Sequence, residues 1–517
     1  MSNKRSCPHP LKNSELQVRR QRLIRRLTKS VKHKKVSLEP FVKHNDAIID
    51  QILLVKLKPR EEASEREIAA LNGCEAHFLP YIDFAYPSLE GQLSKFPPSL
   101  FYPDFTCPWR MDHGRAECGT FTVILTDERC NRSYAYCYKF RHDEDEVRNQ
   151  ANILDYDDDL QNPFYFIGNC VLVFVSHLPV ETFMMNMAGE AVQDFKRKRK
   201  TLEAICQEKM GILYSSIKKE RSNNHDYLRI RDPDLNIFKY PPISKPIERL
   251  GIETTVYIFL SLLAEKRILV TGENVKIVSD TVQMFSRLLL PLEWPHTLIP
   301  IIPDTLIDLC QNPTPYLCGT MRHNLHKLTQ IMRASFDVTA EEEDITLVDA
   351  DLGIFSPPLE FNKISKNERL NKLIEYGRDI GFSKKMVIDL VKFLQGVFPC
   401  RNAEEASNKI QKRIMTWYAK TFGHYRKWTC ATSLLSAKNK KIFAKSHPVH
   451  ETREFLHWFS ESGIFQSYVY DSFDKKKRHD HDSVYERFEK IRKKHAPPLK
   501  APGAKNSARR MLFKMWN

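Results

Sequence analysis

No apolar run in this 517-residue chain approaches the ~18 to 20 residues needed to cross a bilayer; the best candidate, Cys170 to Val180, is far too short. Glycine is scarce, at 17 residues, and nowhere forms GxGxxG after a strand or GxxxxGK(S/T), so no backbone cradle for phosphates is encoded. GxSxG and HExxH are missing as well, which removes the hydrolase nucleophile elbow and the zinc-protease helix. The 12 cysteines include no CxxC pair. Cys107, Cys118, Cys130 and Cys137 fit no common zinc spacing and read as buried thiols. His447, His450 and Glu451, and the HDHD run at 479–482, read as exposed polar residues and not as a metal site. No metal, no cofactor and no covalent chemistry are therefore expected. The first residues are basic and polar with no apolar segment for export, so the sequon Asn131-Arg132-Ser133 should go unused, in a reducing cytoplasmic setting.

What is present is an ordinary globular composition, 42% hydrophobic and 11% aromatic, with a net charge of +16. The charge sits at the two ends. Residues 1–50 and 474–517 each carry about +9, leaving the body near neutral, so the basicity belongs to the flanks and not to the fold. Nucleic acid is not an expected partner, because aromatics are not interleaved with the basic runs. Arg19, Arg20, Arg22, Arg25 and Arg26 crowd a helical-looking piece with a thin stripe of Leu16, Leu23 and Leu27, either a solvated arm or a surface helix drawn to anionic lipid.

Along the chain, residues 46–72 have helical propensity and Phe78 to Phe84 suits a strand. Gly119 to Phe140 is the clearest hairpin, with Phe121, Val123 and Leu125 alternating on one strand and Tyr134, Tyr136 and Tyr138 on the other. An acidic loop, His142 to Asp159, precedes a strand-then-helix pattern at Asn169 to Phe183. KRKRK at 196–200 is placed on a helix running from Met187 to Leu213, and residues 218–248 read as a linker. Ile252 to Ala264 is apolar on nearly all sides, which implies a buried helix. Beyond Pro357-Pro358 the pattern turns helical: Leu370/Leu373/Ile374, Met386 to Val397, and Ile410/Ile414/Trp417/Tyr418.

The most informative stretch is Glu265 to Gly319. Arg267 to Val270 is a β-branched run ending at Thr271-Gly272; Asn274 is placed to cap a helix, with Val275, Val278, Val282, Phe285 and Leu289 on one face. Pro291 stops that helix, Thr297 to Ile302 is the next strand, and Pro303-Asp304 opens a short helix. This is a βαβ unit and predicts a parallel sheet covered by helices on both faces. EKRILV, LLLPLEWPHTLIPIIP and LIDLCQNPTPYLCG resemble, in order and spacing, the central block of the DENN domain. The hairpin resembles that family's upstream longin-like module, and TFGHYRKW (421–428) with Glu454 to Phe473 resembles the downstream module of the connecdenn subgroup. One departure is Pro291-Leu292-Glu293, where the family usually follows the proline with two apolar or aromatic residues.

The resemblance implies an α/β fold: an N-terminal longin-like α/β lobe, then a doubly wound parallel-sheet lobe with a helical C-terminal extension. The expected divisions are a basic arm 1–45, an upstream lobe 46–190, a helix and linker 191–250, a central lobe 251–365, a helical region 366–473 and a basic tail 474–517. It implies guanine nucleotide exchange on a Rab-type small GTPase in endocytic or recycling traffic, by a cytoplasmic protein peripherally associated with endosomal or plasma membranes. A DENN-fold adaptor without exchange activity and a folliculin-like GTPase-activating component are the alternatives. The residues expected at the GTPase interface are Trp294, His296, Asp304, Asp308, Thr314, Pro315 and Tyr316.

Overall fold

The computed structural model describes residues 47–69, 71, 76–88, 96–105, 119–126, 132–141, 169–212, 240–328, 330, 345–356, 365–428, 437–473 and 482–498. The five arginines of the basic arm, the acidic loop 142–159, His479 to His481, and Cys107, Cys118 and Cys130 lie outside the described residues. Cys137 does read as a buried thiol, and burial pushes its pKa well above the ordinary thiol range.

The upstream sheet is wholly antiparallel. It comprises β1 (Gln51–Pro59), β2 (Phe78–Tyr86), β3 (Thr120–Thr126), β4 (Arg132–Arg141) and β5 (Asn169–Ser176), in the order β2-β1-β5-β4-β3. The helical reading of residues 46–72 is corrected here, since β1 is an interior strand. Leu53, Val55 and Leu57 face one core while Ile52 and Leu54 face another, so both faces are apolar and alternation is invisible in the sequence.

Helix Glu181–Lys196 packs on the Ile52/Leu54 face, burying Phe183, Met184, Met187 and Ala188. It does not run on to Leu213. Lys198 adopts φ +52, and Thr201 starts a second helix, Leu202–Met210, by accepting a hydrogen bond from the Ala204 N–H (3.3 Å). KRKRK therefore marks a break between two helices and not a helix face.

The second sheet contains β6 (Arg267–Gly272), β7 (Thr297–Ile299), β8 (Tyr316–Met321), β9 (Ile345–Asp349) and β10 (Ile354–Ser356), in the order β10-β9-β6-β8-β7. All pairings are parallel except the β9–β10 edge. The expected strand Thr297 to Ile302 shortens to three residues, because Ile301 and Ile302 turn inward ahead of Pro303. Helix Ile252–Leu263 is buried from Thr254 onward, as its composition implied. Between the sheets lies a bridging helix, Val275–Leu288. The Asn274 carboxamide caps it by accepting from the N–H groups of Lys276 (2.9 Å) and Ile277 (3.3 Å). Val278, Val282, Phe285 and Leu289 are fully buried in a core that also takes in Leu53, Val123 and Val173 of the upstream sheet. Gly319 lets β8 pass under this helix: a Cβ there would stand 2.2 Å from the Pro300 carbonyl oxygen and 2.6 Å from Val278.

The helical region comprises Lys366–Asp379, Lys384–Gln395, Ala403–Phe422, Ala437–Ser446, His450–Phe459 and Gly463–Phe473. Its centre is Phe422, with the rings of Phe465, Phe459 and Tyr468 at 5.4, 6.0 and 6.0 Å. The expected tail 474–517 holds a further helix, Asp482–His495, whose Phe488 is fully buried against Phe422. Likewise Ser244–Leu250, within the expected linker, is a helix burying Ile247 and Leu250.

Candidate partner interface

The two sheets meet at a polar seam enclosed in apolar packing. From β3, the Thr122 N–H donates to Ser279 Oγ on the bridging helix (3.2 Å) and the Thr122 hydroxyl donates to Glu181 (3.2 Å). Glu181 also accepts from Gln283 Nε2 (3.2 Å) and from the Arg287 guanidinium. Arg287 further donates to Gln283 Oε1 (3.0 Å), and both charged side chains are less than a tenth exposed. Arg132 of β4 reaches the Trp294 carbonyl (3.0 Å), and the Asp304 N–H donates to the Pro103 carbonyl (3.3 Å). Five of these bonds join the upstream lobe to the central lobe: Thr122 to Ser279, Gln283 and Arg287 to Glu181, Arg132 to Trp294, and Asp304 to Pro103. A cleft of about 180 Å³, lined by residues that include Thr120, Glu181, Thr182, Tyr240, Pro241 and Lys276, opens onto the seam. It is smaller than the roughly 300–1,000 Å³ typical of small-molecule sites.

Ligands of parallel α/β sheets usually bind beyond the carboxyl ends of the strands. Here that edge carries Arg322, which donates to Asp349 (2.9 and 3.1 Å), Asp351 (2.8 Å) and Glu273 (2.7 Å). Burial raises the Asp351 carboxyl above its ordinary range, against the pull of a hydrogen bond from the Glu273 N–H and of Arg322. Three carboxylates around one guanidinium repel an anionic phosphate.

The opposite, amino-terminal edge gathers part of the expected interface. Thr297 pairs with Tyr316 across β7 and β8, which sets His296 beside Pro315. The connection between these strands is the 3₁₀ helix Asp304–Gln311, kinked at Leu306 (φ −117), which turns Ile307 and Cys310 inward. Asp308, Gln311, Asn312 and Pro313 are exposed, and Thr314 and Pro315 are half-buried. The Thr314 N–H and hydroxyl both donate to Asn312 Oδ1 (3.0 and 2.8 Å), which holds the loop in a fixed turn. Leu309 stands 45% exposed among them, a residue the sequence did not single out because LIDLC reads as a core run.

Three expected contact residues are corrected. The Trp294 side chain is 1% exposed, with its Nε1–H spent on the Thr297 carbonyl (3.0 Å). Asp304 is 2% exposed and is held by His323 (3.0 Å) and Asn324 (2.6 Å). The Tyr316 ring is buried and its hydroxyl donates to the Cys310 carbonyl (3.2 Å). All three brace the loop from behind, and none presents a side chain at the surface. His296 is partly covered: its ring contacts Trp294 edge-on (5.0 Å), and its Nε2 lies 2.9 Å from Glu265. Glu265 in turn accepts from the Ile464 N–H (2.8 Å), which ties this edge to helix Gly463–Phe473. His447, expected to be exposed, is buried with its Nε2 3.0 Å from the Lys420 carbonyl. Among the described residues no group of three His, Cys, Asp or Glu side chains is arranged to hold a metal, and no helix is long and apolar enough to cross a membrane.

Comparison with known proteins agrees with this architecture. Residues 169–353 match the DENN (AEX-3) domain profile, from the first residue of β5 to the turn after β9. The chain is 26% identical to human DENN domain-containing protein 2B over 225 residues, 43% of this chain and 18% of that protein. It is 22% identical to mouse DENN domain-containing protein 2D over 224 residues, 43% of this chain and 42% of that one. A shorter stretch of 67 residues, 13% of this chain and 8% of the relative, is 42% identical to mouse DENN domain-containing protein 1C. The matched segment thus spans less than half the length of each of these relatives. Over residues 169–353, the chain is thus similar to the DENN (AEX-3) domain.

Proposed function

We propose that this protein is a guanine nucleotide exchange factor for a Rab-type small GTPase, working in endocytic or recycling traffic. The observation that carries the reading is the loop Asp308 to Pro315: exposed Leu309 and Pro313 beside exposed Asp308, braced by buried Trp294, Asp304 and Tyr316. An apolar anchor with a polar rim on a fixed scaffold is the anatomy of a protein interface. In this proposal His296, Asp308, Leu309, Thr314 and Pro315 contact the GTPase, and the seam fixes the lobes that flank it. Exchange needs no acid, base or nucleophile. It needs tighter binding of the nucleotide-free GTPase than of the GDP form, so that the switch regions rest in a geometry incompatible with Mg²⁺ and phosphate. A GTPase-activating role would require an arginine free to reach a γ-phosphate. At the seam and at the carboxyl-end edge of the second sheet, Arg132, Arg287 and Arg322 are each committed to internal partners. Cytoplasmic location and peripheral membrane association, through the arginine-rich arm, belong to the same proposal.

The test is release of a fluorescent GDP analogue from a panel of purified Rab proteins. One or a few should lose nucleotide faster, and Leu309→Asp should reduce that acceleration at least about tenfold without altering melting. Binding without release would instead make the protein an adaptor, and unchanged exchange by Leu309→Asp would move the interface elsewhere.

A further inference from the structure

Helix Asp482–His495 is anchored by its inner face. Phe488 is fully buried, 6.2 Å from the Phe422 ring and 6.0 Å from that of Tyr468. Arg492 donates to the Gly423 carbonyl (3.1 Å) at the end of helix Ala403–Phe422, and Arg426 reaches the Tyr485 hydroxyl. Glu489 is turned inward as well, paired with Arg492 (2.9 Å) and Arg426 (3.4 Å).

The outer face is sorted by charge. Glu486, Arg487, Lys490, Lys493 and Lys494 are exposed and share one side of the helix at three- and four-residue spacings. Among the described residues the four cations make no ion pair: Glu489 is spent on Arg426 and Arg492, which leaves Glu486 as the single carboxylate beside four positive charges. The stripe from Arg487 to Lys494 is about 10 Å long, close to the Debye length at physiological salt, so a charged surface beneath it acts on all four at once.

We infer that this stripe is a docking surface for an anionic bilayer. A protein partner would require an apolar centre, and the stripe has none. The sequence that continues from it suits a membrane surface. Residues 490–517 contain nine Lys and Arg and no Asp or Glu, and they add Met511, Leu512, Phe513, Met515 and Trp516. Cations with apolar and aromatic residues are the composition that settles at the headgroup boundary. Because the helix is packed into the fold, contact there would orient the whole body on the membrane. The inference stands independently of nucleotide exchange.

The experiment is flotation of the full chain with vesicles of phosphatidylcholine alone and with about 30% phosphatidylserine. Three forms are compared: wild type, Arg487→Gln/Lys490→Gln/Lys493→Gln/Lys494→Gln, and a form with Arg19, Arg20, Arg22, Arg25 and Arg26 changed to Gln. Each cation near such a surface contributes roughly fivefold, so the four-site helix variant should lose at least about tenfold in vesicle affinity with unchanged melting. Wild-type binding should also require phosphatidylserine and fade as salt rises. Equal binding by the helix variant and wild type would overturn the inference, as would equal wild-type binding to both vesicles. Retention of the wild type on polyglutamate with no flotation would also overturn it, in favour of an acidic protein partner.

Discussion

Arg287→Met is the most direct probe of how the two lobes are held. In the native seam the guanidinium contacts Glu181, Gln283 Oε1 (3.0 Å) and the Pro241 carbonyl (3.4 Å), and its face lies 5.1 Å from the Tyr240 ring. The substitution removes the positive charge paired with Glu181 and leaves the carboxylate, among the described residues, with two neutral donors, Thr122 and Gln283, at 3.2 Å each. Breaking a buried pair from one side costs about 3 to 5 kcal/mol, because the remaining charge keeps its desolvation penalty. Replacing both partners removes that orphaned charge, so Glu181→Met/Arg287→Met should recover most of the loss. Urea unfolding of wild type, both single variants and the double variant measures this cycle. A loss below about 1 kcal/mol in Arg287→Met would refute the reasoning, since only a hydrated seam could tolerate an unpaired Glu181 so cheaply.

Phe285→Ala should cost about 3 to 5 kcal/mol, read by the same unfolding curves, because the ring is fully buried on the face the bridging helix turns to the shared core. Gly381→Ala should cost about 2 kcal/mol or more in thermal unfolding: φ is +93, and a Cβ would stand 2.2 Å from Trp458 Nε1. His424 supplies a pH dependence. Burial pushes its imidazole from 6.5 down to about 4, with the Phe443 carbonyl acting in the opposite sense. The unfolded chain therefore binds the proton first, so this contribution is complete above pH 6.5 and is lost as pH falls toward 4. The loss reaches about 3 kcal/mol. Melting at pH 7 and pH 5 should show a smaller drop in His424→Gln than in wild type.

How much of this was legible in the sequence depends on which forces left a mark in residue type. The bridging helix was readable to its cap because one face is apolar at three- and four-residue steps and Asn274 precedes it. β1 was not, because an interior strand buried on both faces has no alternation to read. Helix Asp482–His495 was hidden by composition: Tyr485, Phe488 and Ile491 form its inner stripe, but lysine and arginine dominate the average.

The candidate interface divides along the same line. The resemblance points to Trp294, His296, Asp304, Asp308, Thr314, Pro315 and Tyr316, which sit on the turns and loop of one short stretch. Which of them face outward is decided by partners distant in sequence. Asp304 is drawn in by His323 and Asn324, and Trp294 by its own turn and by Arg132 from the other lobe. Leu309 is turned out by a 3₁₀ kink that spends Ile307 and Cys310 on the core. A leucine in an LIDLC run looks like core in any linear reading, yet here burial of its neighbours exposes it. The residues that set the loop's shape and those free to touch a partner are thus different sets. A substitution of Trp294 or Tyr316 should lower stability and exchange together, whereas one at Leu309 should lower exchange alone.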